Sequence, residues 1–328
     1  MRGVCIFFLT LLLFSCERQQ CREHDASSSS RMTLKLNRTE KVMFNLASKE
    51  ETALFLQNYQ AVAQNFFHQA QYPGAEILAD RIFGLINDPY IDTLNREASE
   101  VFGDDNEIIE PISEIYSNLN FYYPRQTMPE ITTVVSGLYN DLYIDESDVI
   151  IGIDFFIGPG ATYKPLNVPA YIQRRYTKHY LPAILAKFLA GQHVRTGKEN
   201  SLLSEMIDFG KINYFVSRLS PCSADSIVMG YSPRQMAGVV VNEERIWRHF
   251  IEKSLLYETS EFTKQKYLGE RPNIYEISKD CPGRVGAWIG WKIVEAYMAN
   301  TNLPLKELLE ETDHHKIFAA SGYKPASG

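Results

Sequence analysis

The 328-residue sequence contains none of the short signatures that announce hydrolytic or redox chemistry. HExxH does not occur, so no helix offers two imidazoles at i and i+4 with a glutamate base between them, as a zinc hydrolase of that type requires. GxSxG does not occur either, and neither Cys222 nor Cys281 stands in a cysteine–histidine motif. Without CxxC there is no zinc knuckle or redox dithiol. The glycines of "GPGATYKP" are interrupted by proline and no Gly-Lys-Ser/Thr follows, which rules out a phosphate loop. Positive charge is in deficit: 33 Lys and Arg against 40 Asp and Glu leave a net charge of −7. Basic pairs such as Arg174–Arg175 are balanced nearby, so the basic face that nucleic acid demands is missing. No period of about 20–50 residues repeats, which excludes a solenoid. The N-terminal apolar run, "VCIFFLTLLLF", has 11 residues, against roughly 20 for a bilayer span.

That short run has a different use. Arg2 precedes it as a positive n-region, and it ends in "LFSC", Leu13 to Cys16, which resembles a bacterial lipobox. Cleavage before Cys16 and acylation of that cysteine are expected, tethering the mature chain to a membrane without inserting it. Residues 1–15 are read as signal peptide and residues 16–32 as acylated cysteine plus flexible polar tether, since "ERQQCREHDASSSSRMT" has too few apolar groups to fold. Residues 33–325 form one globular domain and residues 326–328 a tail. Glu17, not aspartate, follows the lipidated cysteine, and a periplasm-facing position is expected, with the membrane left open. Cys5 departs with the leader, leaving Cys21, Cys222 and Cys281. An oxidising compartment permits a Cys222–Cys281 bridge, and three thiols cannot all pair internally.

Along the body, periodicity reads as helices, a small sheet, then helices: an α+β fold, predominantly helical. "MTLKLNRTEK" opens as a short strand. Ser48–Glu51 has capping-box spacing, and the helix it starts carries Leu54, Phe55, Tyr59, Val62, Ala63, Phe66 and Phe67 on one face, with His68 at the core edge. "PYIDTLNREASEVFG" and "EIIEPISEIYSNLNFYY" continue as helices. "ITTVVSGLY" and "SDVIIGIDFFIG" read as neighbouring strands. Asp154, inside the second, either alternates to solvent or fixes a neighbouring helix or loop by hydrogen bonds. Helices follow over 171–194, 201–217 and 233–257. The helix in "CPGRVGAWIGWKIVEAYMA" is buried, with Pro282 in its first turn and Gly286 and Gly290 permitting close packing. His179 and His193 are fourteen apart, too far to share an ion from one helix. The adjacent His314 and His315 point to different sides of a helix and are expected at the surface.

The C-terminal half carries a resemblance. "MIDFGKINYFVSRLSP", "GYSPRQMAGVVVNEERIWRHFIEKSLLYET", "CPGRVGAWIGWKIVEAYM" and "IFAASGYKP", with "GIDFFIGPGATYKPLNVPAYIQRRY" before them, are similar to the gliding-motility lipoprotein GldB family of Bacteroidota, over about residues 33–325. That family looks like a distant, degenerate relative of predicted zinc peptidases with an HEYHH-type helix. The resemblance implies a zincin-like body in which a small sheet precedes a central helix. "LAKFLAGQHV" occupies the place of the metal helix and "DFGKINYF" that of a following Glu-Gly helix, so at most His193 remains of the metal motif. It further implies a non-catalytic pseudoenzyme, without cofactor or metal, supporting gliding and the associated type IX secretion machinery beside other envelope proteins. Asp154, Tyr163, Asp208, Asn242, Glu243, Trp247, Gly290, Trp291 and Tyr323 are its candidate motif or cleft residues. Asn242 and Glu243 are expected to organise the cleft, and exposed members among Tyr163, Trp247 and Tyr257 would suit a partner interface, although core filling is favoured for Trp247. Two other readings stay open: an active zinc peptidase using His179, His193 and Glu243, and a periplasmic ligand-binding lipoprotein.

Overall fold

The computed structural model describes residues 21–22 and 31–325; the expected signal peptide, the expected anchor Cys16 and the last three residues lie outside the described residues. A short strand β1 (Leu36–Arg38) leads into α1 (Thr39–Met43), α2 (Lys49–Asn58), α3 (Ala75–Ile86), α4 (Pro89–Val101) and α5 (Asp105–Tyr122). Strands β2 (Glu130–Val134), β3 (Leu142–Ile144) and β4 (Asp148–Gly152) follow. The remainder is helical: α6 (Ala170–Gln173), α7 (Leu181–His193), α8 (Leu202–Leu219), α9 (Asp225–Met229), α10 (Pro233–Val241), α11 (Glu243–Glu252), α12 (Glu261–Leu268), α13 (Val285–Thr301), α14 (Leu305–Glu310) and α15 (His314–Ser321). The α+β expectation holds: one four-stranded sheet stands in a mostly helical chain.

The sheet has the order β1-β2-β4-β3, with β1, β2 and β4 parallel and β3 antiparallel to β4. β2 and β4 are buried along all but their first residue, because both faces are covered. Val149 and Ile151 point into the large core, whereas Ile150 between them joins a smaller cluster with Phe55, Phe66 and Ile82. That is the two-residue alternation of a strand, with a different helical layer on each side.

α8 and α13 form the centre of the large core. A Cβ at Gly210 would stand 2.3 Å from the Gly290 carbonyl oxygen, and one at Gly290 only 1.7 Å from that of Met206. The two backbones touch, and only glycine permits it. Gly290 is therefore a packing residue at a helix crossing. Trp288 and Trp291 are buried on the same helix.

Several sequence expectations are revised. Leu54 is 55% exposed, because α2 buries the face of Thr52, Phe55 and Leu56, and the expected continuous helix stops at Asn58, ahead of a π turn over Val62–Phe66. The expected helix 171–194 is two helices, the second starting just before Pro182, which fits a first turn but not an interior. The run 233–257 also breaks, at Asn242, whose side chain returns to the Gly238 carbonyl at 2.8 Å. The sequence left a Cys222–Cys281 bridge possible; Cys222 is instead bonded to Cys21, and Cys281 is free and buried. Arg22 reinforces that link: its N–H donates to the Pro221 carbonyl at 3.0 Å, and its guanidinium reaches Ser223 and Asp225. The polar N-terminal segment is thus fastened to the α8–α9 loop at its fifth residue beyond Cys16.

Candidate functional site

Glu243 opens α11, and its carboxylate spans three parts of the fold. Trp288 Nε1 of α13 donates to Oε2 at 3.0 Å, and the Tyr323 hydroxyl, beyond α15, donates to Oε1 at 3.0 Å. Burial and the adjacent carboxylate push the Tyr323 pKa up, so the phenol remains a neutral donor. Trp247, one helical turn after Glu243, lies edge-on to Tyr323 at 5.2 Å and against Phe318 at 6.0 Å. The Lys292 ammonium stands 4.3 Å from the centre of the Trp288 ring, and Trp291 meets that ring edge-on at 5.7 Å. Four of the motif residues, Glu243, Trp247, Trp291 and Tyr323, therefore converge around Trp288, which the sequence reading did not single out. Asn242 does not join them; it is exposed and bonded only within its own turn.

Asp154 follows β4 in a tight turn and is buried. It accepts from the Leu138 N–H at 2.7 Å and the Ser136 N–H at 3.2 Å. These bonds pin a turn in which Gly137 and Leu138 both have positive φ, so of the two roles expected for Asp154, loop fixation is the one found. Burial raises its pKa to about 6, against the opposing effect of those N–H donors. Asp154 also borders a cavity of about 200 Å³ lined by Tyr163, Gln173, Arg174 and Tyr176. Tyr163 is half-buried there, edge-on to Tyr90 at 5.7 Å.

Asp208 on α8 accepts from His314 Nε2 at 2.9 Å and Lys211 Nζ at 3.2 Å. Lys211 also donates to the carbonyls of Arg195 and Glu311, at 3.0 and 2.6 Å. His314 is buried, contrary to the surface position expected for the histidine pair; His315 is exposed. Asp313 caps α15 by accepting from the Lys316 N–H, a register that turns His314 inward. The signal for this was present in the sequence: an aspartate three residues before a lysine N–H marks a helix start.

The residues of the zinc-peptidase reading are not gathered. His179 is exposed ahead of α7. His193, at the end of α7, stacks on Tyr123 at 4.0 Å and meets Phe215 edge-on at 6.0 Å, and burial lowers its pKa. Glu243 is engaged at the Trp288–Tyr323 joint. Among the described residues, no group of three or more His, Cys, Asp or Glu is arranged to hold a metal ion.

Comparison with known proteins finds no match among curated proteins or solved structures. A family model described as gliding motility protein GldB matches residues 20–325, nearly all of the chain. The matched span takes in the Glu243 joint, the Asp154 turn, the Asp208–His314 pair and the α8–α13 crossing, and the chain belongs to the GldB family of gliding motility lipoproteins.

Proposed function

We propose that this GldB-family lipoprotein is a non-catalytic body of zincin-like descent, held at the periplasmic face of a membrane by acyl chains on Cys16. In this role it supports gliding and the type IX secretion machinery through contacts with other envelope proteins. The supporting observation is how the positions nearest a peptidase motif are used. His193 is stacked on Tyr123 and meets Phe215 edge-on, and each oxygen of Glu243 is taken by a protein donor. A catalytic zinc needs three ligands and an open site for water, and these side chains are spent on packing. No helix among the described residues is long and apolar enough to cross a membrane, in keeping with attachment through lipid.

The test is genetic and chemical together. Deleting the gene in its host should reduce surface spreading and secretion of type IX cargo. Chains carrying His179→Ala or His193→Ala should restore both as fully as the parent. The purified chain should hold no stoichiometric zinc at micromolar supply. About one zinc per chain, or failure of either histidine variant to complement while remaining folded, would overturn the non-catalytic reading.

A further inference from the structure

A cluster of half-buried cations lies between α6, α7, the α9–α10 loop and the start of α13. Arg175 makes a two-pronged pair with Glu270, Nη1 to Oε1 at 2.5 Å and Nη2 to Oε2 at 2.8 Å. Arg284 Nε lies 3.1 Å from the same carboxylate, and its Nη2 donates to the Met229 carbonyl. Arg174 Nη2 donates to the Gly230 carbonyl at 2.9 Å. Lys187, projecting from the central helix α7, is the fourth cation and feels Arg284, Arg175 and Glu270. Four cationic side chains thus share one carboxylate.

A purely structural role would leave these donors satisfied, and two are not. Arg175 Nε is buried without a hydrogen-bond partner. Lys187 makes no hydrogen bond or ion pair within the described residues. Its side chain is half-buried. Burial drives its pKa well below that of an ordinary amine, Arg284 and Arg175 push the same way, and Glu270 only partly opposes them. Glu270 itself is held below its usual range: burial alone would raise it, but Arg175 and Arg284 outweigh that.

The backbone around the unpaired donors has been kept clear. Gly230 has φ +65°, and a Cβ there would lie 3.0 Å from Arg175 Nε and 3.1 Å from Arg284 Nη2. Arg284 adopts φ +64°, a conformation that a non-glycine residue takes at a cost and that gathers at ligand sites. It is also the N-cap of α13, which has no side-chain cap, so uncapped N–H groups begin at the same residue.

We propose that Arg174, Arg175, Lys187 and Arg284 form a binding site for a phosphate group. A second carboxylate would leave most of the excess charge uncompensated. Phosphate brings up to two charges and several oxygens, and it suits planar guanidinium forks together with a point-charge ammonium. The phosphate has two available sources, a soluble ester or a lipid headgroup. The lipid source is within reach. Cys16 precedes the bridged Cys21 by five residues, about 18 Å of extended chain, and α9, some 7.5 Å long, leads from the Cys222 loop to Gly230.

The experiment uses the mature chain with Cys16→Ser and its disulfide intact. Melting temperature is followed against inorganic phosphate and glycerol phosphate, with sodium chloride at matched ionic strength as reference. Flotation is measured with phosphatidylcholine vesicles with and without phosphatidic acid. A saturable rise in melting temperature beyond chloride is expected, or selective flotation with phosphatidic acid; the first identifies a soluble source and the second a lipid source. Lys187→Met should fold at least as stably as the parent without ligand, because it removes a half-buried ammonium that has no hydrogen-bond partner among the described residues, and should bind phosphate at least tenfold more weakly. Lys187→Arg should retain binding. Glu270→Gln, by removing the internal anion, should tighten it. The proposal fails if the parent responds to none of the phosphate carriers beyond chloride, or if Lys187→Met responds as the parent does. Neither result bears on the histidine-variant complementation described above.

Discussion

The α8–α13 crossing allows one substitution to set two physical effects against each other. Gly290→Ala should stabilise by about 1 kcal/mol on helix propensity alone. The structure predicts the reverse. The new methyl would lie 1.7 Å from the Met206 carbonyl oxygen and 2.3 Å from its carbon, and neither is the movable end of a side chain. Carbon–oxygen contacts settle near 3.3–3.6 Å, so the helices must part by roughly 1.6 Å. A radial gap of even 0.5–1 Å forfeits about a quarter to a half of the dispersion well, and here it would run along the buried faces of Trp288, Trp291 and Met206. Overpacking usually costs about 1–3 kcal/mol; with rigid backbone on both sides, a net loss of about 3 kcal/mol or more is expected. Gly191 on α7 supplies the control, since nothing lies within 4 Å of a Cβ there. Gly191→Ala should gain about 0.5–1 kcal/mol. Urea titration followed by far-UV circular dichroism and tryptophan fluorescence would measure both, with an unchanged slope as the check on two-state behaviour. If Gly290→Ala were as stable as the parent, the close approach of the two helices would be refuted.

Three further outcomes are expected. Cys21→Ser opens a link across a sequence separation of 201; chain entropy for so long a loop sets an upper bound of about 5 kcal/mol, and a measured loss of about 2–5 kcal/mol in denaturant titration, matched by reduction of the parent, would agree. Tyr323→Phe and Glu243→Gln should each cost about 1–2 kcal/mol, and the double variant less than the sum, because both disturb one hydrogen-bonded joint; strict additivity would show that the joint does not act as a unit. Asp154 has a folded pKa of about 6 against 3.8 ordinarily, so the folded state holds the extra proton between those values and stability falls as pH rises through that window. At about 1.36 kcal/mol per pKa unit the effect is of order 3 kcal/mol. Asp154→Asn should remove this slope between pH 4 and 6, and an identical slope in both proteins would count against it.

What the sequence determined by itself was local. Apolar periodicity placed most helices, and the β-branched runs placed β2 and β4. Ser48 caps α2 by accepting from the Glu51 N–H, although the glutamate returns to the Ala47 N–H instead of that of Ser48. Gly290 was legible as a packing residue, and the quoted motifs pointed to the family that nearly the whole chain matches. Other features depended on partners remote in the chain. Cys222 bonds Cys21 rather than Cys281, and His314 is buried because Asp208 lies opposite it, 106 residues away. Glu243 meets donors 45 and 80 residues further on. The Arg174–Arg175 pair looked balanced by its neighbours, yet its counter-charge is Glu270, and Lys187 and Arg284, remote in sequence, join it only in the folded chain. Helix and strand patterns arise from contacts a few residues apart, which a sequence displays directly. Burial, charge pairing and an unpaired donor arise from which surfaces meet, and only the tertiary structure decides that.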